Sequence, residues 1–291
     1  MADSVGMADL RAENVERIVK GFALQEYRMK QLVMVQSSSA WQESYYKETK
    51  TELSGGTGSE VEGIPRLANF PYGEVTWTKT SSYMKKHGME GVISWEDAIT
   101  NNVDVIARTL LRIARAVVRS VDAEIWDVLT ESRSVSTINS VTIAAGDEWD
   151  SATIANRDPI QDILNAKKEI AVDNYDPDNG RGMLALSPTD YANLLGNANV
   201  RNAGQFYTDS ATRNGVVGRI AGLTVIVSNS VTADYALVCI SKECGTWKEA
   251  VPLSVRVIEE PGIKYTIRAW EIGTTQLTNP EACCLIINTQ A

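Results

Sequence analysis

From Val92 to Ala145 the chain contains neither Gly nor Pro. Apolar residues recur there at Ile99, Val103, Ile106, Leu110, Ile113, Val117, Val121, Ile125 and Val128. Steps of three and four keep one side of an α-helix apolar along its whole length. Ser94 and Asp97 form a Ser-x-x-Asp capping box at the start, with acidic charge at the positive end of the helix dipole. The pattern predicts one helix over 94–131, roughly 55 Å long. Helices in globular proteins average about three turns, so a rod of this length spans a domain or carries other parts along its side.

Composition narrows what can surround that rod. With 291 residues, 44% of them hydrophobic and 22% charged, the chain can bury a sizeable core as one large domain or two. A net charge of -9 argues against binding nucleic acid by bulk electrostatics, although a local basic face remains open. The first residues, MADSVGMADLRAENVE, carry no basic and apolar leader, and no apolar run approaches membrane-spanning length, so a cytoplasmic origin is expected. Cys239, Cys244, Cys283 and Cys284 form no Cys-x-x-Cys pair and read as buried thiols.

Ahead of the rod, residues 8–36 suggest an amphipathic helical arm. Residues 41–89 hold Trp41, Tyr45, Tyr46, Phe70, Tyr72, Trp77 and Tyr83 around a Gly/Ser-rich middle, as in a long extended hairpin. Its alternation is too poor to define a face for its own core, so an interface role is expected, with packing on its own domain as the alternative. Behind the rod, Asp158-Pro159 and Ser187-Pro188 each cap a helix, the second following a buried strand over 183–186. Further strands are expected over 223–227, 235–240, 253–259, 264–271 and 282–287.

Catalytic chemistry finds little to build on. His87 is the only histidine and lies in the polar run MKKHGME, which reads as a solvated loop. No Walker A, HExxH or Gly-x-Ser-x-Gly sequence occurs, and the acidic clusters at 147–150 and 173–178 read as turns, so no catalytic residue, cofactor or metal site is assigned. Arg108, Arg112, Arg115 and Arg119 stand out instead, aligned along one face of the predicted rod. Asp104 and Asp122 are placed to pair with them on a solvated face. The alternative is contact with a neighbouring subunit through acidic residues of the extended loop, Glu48, Glu52, Glu60 and Glu62, with Trp77 beside them. Contact with nucleic acid is disfavoured by the acidic total.

The order of parts resembles the major capsid proteins of tailed double-stranded DNA phages, which share the Hong Kong 97 phage fold. The resemblance rests on SEVEGIP (59–65) and FPYGEVTW (70–77) in the loop, the rod over 94–131, MLALSPTDYANLL (183–195) and GVVGRIAGLTVIVSNSV (215–231). It implies an α+β fold with an N-terminal arm (1–39), an extended β-hairpin E-loop (40–92), a P-domain holding the spine helix (93–135 and 251–291) and an α/β A-domain (136–250). It implies no enzyme. The function it implies is a structural subunit that self-assembles through pentamers and hexamers into an icosahedral shell around viral double-stranded DNA. Assembly is expected in the host cytoplasm, without membrane and without sequence-specific DNA contact. Separate scaffolding, portal and decoration proteins are further expected partners. An encapsulin-like compartment enclosing cargo enzymes, or a soluble α/β enzyme, are the rival readings.

Overall fold

The computed structural model describes residues 17–19, 27–47, 63–70, 78–100, 103–133, 137–198, 200 and 218–291; the side chains of 98, 99, 103–107 and 132 lie outside the description. Among the described residues the order begins with β1 (Met34–Ser37), β2 (Gln42–Lys47), β3 (Thr78–Tyr83) and β4 (Lys85–Ser94). Helices α1 (Trp95–Ile99) and α2 (Val103–Leu129) follow, then β5 (Asn139–Thr142), α3 (Pro159–Val172), β6 (Gly182–Leu186), α4 (Pro188–Gly196), β7 (Arg219–Ile220), β8 (Leu223–Val227) and β9 (Tyr235–Ile240). The chain closes with β10 (Gly245–Glu260), β11 (Lys264–Leu277) and β12 (Cys283–Ile287).

The predicted single rod is two helices. Ser94 caps the first as expected, its hydroxyl accepting from the Asp97 N–H at 3.1 Å. That helix ends at Thr100, whose side chain donates to the Glu96 carbonyl at 2.9 Å. The same hydroxyl lies 3.3 Å from the Asp97 carbonyl, a local side-chain bond of the kind that competes with helix continuation and that the apolar rhythm did not register. Helix α2 alone is about 40 Å long. It buries Leu110, Ile113, Ala114, Val117, Val118, Val121, Ile125, Trp126 and Leu129. Each such aliphatic contributes about 1.5–3 kcal/mol, against about 0.2–0.5 kcal/mol for each like-charge pair a turn apart, so the helix tolerates its arginine row.

The strands form three sheets. A four-stranded sheet runs β1-β10-β11-β4, a six-stranded sheet runs β5-β12-β9-β6-β8-β7, and β2-β3 form a separate ribbon. The late strands divide between them: β10 and β11 pair antiparallel in the first sheet, while β12 crosses into the second, parallel to β5 and antiparallel to β9. Strand β10 is longer than the expected 253–259 because it carries Pro252 within a register irregularity between Val251 and Ser254. The stretch of β10 beside β1 ends at Glu249, so Pro252 sits on an edge where a missing N–H is tolerated.

The α/β punctuation is as expected. Asp158 accepts from the Gln161 N–H and Ser187 from the Asp190 N–H, each with Pro at the first helical position. Asp190 is buried and its second oxygen accepts from the Thr289 hydroxyl at 2.9 Å, fastening α4 to the C-terminal segment. All four cysteines are fully buried with free thiols, three of them on the neighbouring strands β9 and β12.

Candidate functional site

Helix α2 lies on the four-stranded sheet through close backbone approach. Gly91 of β4 leaves no space: a Cβ there would stand 2.5 Å from Ile113 Cδ1 and 2.7 Å from Thr109 Cγ2. Two turns further on, His87 meets the same helix. The polar run around it is strand rather than solvated loop, with residues 87 and 93 buried and 86, 88, 90 and 92 exposed. His87 Nδ1 lies 2.8 Å from Ser120 Oγ, and Nε2 lies 2.9 Å from Glu124 Oε2, an ion-pair distance at an angle too poor for a hydrogen bond. Lys85 Nζ lies 3.6 Å from Glu124 Oε1. The histidine is thus a buried link between helix and sheet, and the clue was the alternation of β4, masked by its lysines.

The segment 27–33 is fastened on the neighbouring side. Asp122 does not pair with Arg115 or Arg119 as its spacing suggested. Its carboxylate is buried and accepts from the backbone N–H groups of Arg28 (3.1 Å) and Met29 (3.2 Å). Burial pushes its pKa up to about 6 despite those two hydrogen bonds and the nearby Lys30 and Arg28 charges. Glu271, fully buried, accepts from the Tyr27 hydroxyl and from Lys30, both at 2.5 Å. Lys30 is also 3.7 Å from Glu249, whose pKa burial raises. Burial and the Glu271 charge likewise hold the Tyr27 phenol far above its usual range.

The arginine row emerges as a surface. Arg108, Arg112, Arg115 and Arg119 are all exposed. Among the described residues no ion pair involves Arg108, Arg112 or Arg119. At a hundred degrees per residue the row lies well around the helix from Ile113, Ser120 and Glu124, which face β4. Its C-terminal end opens into a cleft of about 500 Å³, lined by Arg115, Arg119 and Asp122 of the helix, Arg28, and Ser228, Asn229 and Ser230 of the turn after β8. The partners expected for the row, Glu48, Glu52, Glu60, Glu62 and Trp77, lie outside the described residues, as does the side chain of Asp104.

The family model described as phage capsid protein matches residues 78–286, which takes in β3, β4, the long helix and every later strand but the last residue of β12. The chain belongs to the phage capsid protein family. Solved structures agree on the fold. The virus-like particle from Pyrococcus furiosus is similar with a TM-score of 0.62 and 13% identity, over 94% of this chain and 98% of that one. A phage-related protein from Bordetella bronchiseptica RB50 gives 0.63 and 14% over 94% and 96%, and the capsid of the cyanophage P-SCSP1u gives 0.62 and 14% over 89% and 86%. No curated protein matches the chain in sequence.

The fold is the Hong Kong 97-like α+β fold, and the protein is a self-associating structural component of a virion capsid. Family membership gives it a structural role. Among the described residues, no helix is long and apolar enough to cross a membrane. In a capsid subunit the β2-β3 ribbon has one further property of note. Its inner face is tied down by Lys47 to Glu131 and by Gln276 to Ser82 at 3.0 Å, while Trp41, Tyr46 and Tyr83 stay largely exposed.

Proposed function

We propose that this chain is the major subunit of an icosahedral shell around a double-stranded DNA genome, assembled in the host cytoplasm through pentamers and hexamers. The carrying observation is the phage capsid match across 78–286, which favours a virus over a cargo-enclosing compartment. Repetition does the mechanical work: identical patches meeting in closed symmetry convert many weak contacts into one cooperative shell. The ribbon at 42–47 and 78–83 is the reaching element. Tyr46 and Tyr83 turn an aromatic face outward beside Trp41, a composition suited to an interface with a second copy. Scaffolding, portal and decoration proteins complete the particle as separate chains.

Sedimentation velocity on the purified protein tests this reading. Large closed particles are expected on concentration or on lowering the net repulsion with salt. A single small oligomer at every ionic strength and protein concentration would rule the shell out.

A further inference from the structure

We propose that the arginine face of α2, with the cleft at its C-terminal end, is the lumenal surface of the shell and holds the phosphodiester backbone of the enclosed DNA. The inference rests on the shell reading above.

Three features of the face favour phosphate. First, the guanidinium groups come from separate parts of the chain. Arg108, Arg112, Arg115 and Arg119 form the row, and Arg28, brought in by the segment that Asp122 anchors, faces the last two across the cleft. Ser228, Asn229 and Ser230, with Val118 and Val227, complete the lining. The one carboxylate there, Asp122, already has its oxygens on the Arg28 and Met29 N–H groups. What remains is a donor-rich hollow suited to a tetrahedral oxyanion, for which guanidinium is the preferred two-pronged partner.

Second, the row is regular. Its four arginines span about 16 Å of helix, the rise of about five successive phosphates on one strand of duplex DNA. Third, the face lies around the helix from the sheet. A shell one subunit thick presents one surface to its contents. The chain as a whole carries a net charge of -9, yet this row carries exposed cations with no ion pair to Arg108, Arg112 or Arg119 among the described residues. Gathered there, a few cations neutralise the layer of DNA next to the wall without condensing the rest. The contact is to backbone and carries no base specificity.

The test uses full-length, nuclease-treated, unassembled subunits and a fluorescent duplex of about three helical turns. Five arginine contacts set the steepest expected dependence of log affinity on log salt at about -4.5, so binding should weaken about 100- to 500-fold between about 50 mM and 200 mM salt. Replacing Arg28, Arg112 and Arg119 together by Gln should flatten the slope by about 2.7, and replacing them by Lys should restore most of it. These side chains are exposed, so their loss empties no core, and circular dichroism of both variants checks the fold.

An unchanged slope in the Gln variant overturns the proposal. So does displacement of the duplex by polyglutamate at equal charge concentration, which would mark a seat for an acidic segment of a neighbouring subunit. Loss of shell assembly by the Gln variant in the absence of nucleic acid would say the same. Should wild-type subunits never form shells, the shell reading fails, while the salt slope still reports whether the arginine face holds phosphate.

Discussion

Gly91 and Ile113 offer the sharpest probe of how the long helix is seated. A Cβ at position 91 would sit 2.5 Å from Ile113 Cδ1, where carbon pairs normally rest at about 3.5–4.0 Å. Overpacking of this kind costs about 1–3 kcal/mol, and Ala regains up to about 1 kcal/mol over Gly in strand propensity and chain entropy. Gly91→Ala should therefore destabilise the unassembled subunit by about 1–2 kcal/mol. Ile113→Val removes Cδ1 alone and should cost about 0.5–1.5 kcal/mol. In the double variant the worst contact is gone, but Thr109 Cγ2 at 2.7 Å must still move aside and Ile113 Cγ1 at 3.1 Å must give by a few tenths of an ångström. It should lose less stability than the two single changes summed, a favourable coupling of about 0.5–1 kcal/mol, with the Thr109 contact keeping it below Ile113→Val alone. Urea unfolding followed by tryptophan fluorescence measures all four proteins, with buried Trp126 on the same helix as reporter. Gly196→Ala, which meets nothing within 4 Å, is the control and should show no coupling to Ile113. Additivity within about 0.3 kcal/mol in the Gly91 cycle would mean that helix and strand do not touch there.

Asp122 has a folded pKa raised to about 6 from its ordinary 3.8. Its contribution is therefore fully present below about pH 4 and lost as pH rises through about 6, a swing of about 3 kcal/mol in order of magnitude. The stability of the wild type minus that of Asp122→Asn should fall across that window; a flat or rising difference would contradict the burial of the carboxylate. Replacing Trp41, Tyr46 and Tyr83 with Ser should suppress particle formation in sedimentation while shifting subunit stability little, because all three are exposed; particles in undiminished yield would remove the ribbon from the interface. Cys239, Cys244, Cys283 and Cys284 should resist a maleimide in the native protein and react together on unfolding. Rapid native labelling would place them outside the core.

Local chemistry made much of this fold legible. Ser94, Asp158 and Ser187 announced helix starts because a cap and its partner lie within four residues of each other. The apolar runs of β6, β8, β9 and β12 announced strands for the same reason of proximity. What escaped was set at long range. His87 looked solvated because its lysine neighbours are, whereas its partners Ser120 and Glu124 lie on another element. Asp122 sat one turn from Arg119 and two from Arg115 and still bonded the backbone of residues 28 and 29, more than ninety positions away. The short strand β1 was missed because it gains its order from parallel pairing with β10 rather than from its own sequence. The arginine row was visible from spacing alone, but its cleft needed Arg28 and the turn at 228–230, which only the fold brings near.

Electron cryomicroscopy of the assembled particle tests the central claim most directly. It should show a closed icosahedral shell one subunit thick, with the β2-β3 ribbon resting on a neighbouring copy and Arg108, Arg112, Arg115 and Arg119 lining the lumen. Absence of closed particles, or a shell in which those arginines lie on the outer surface, would contradict it.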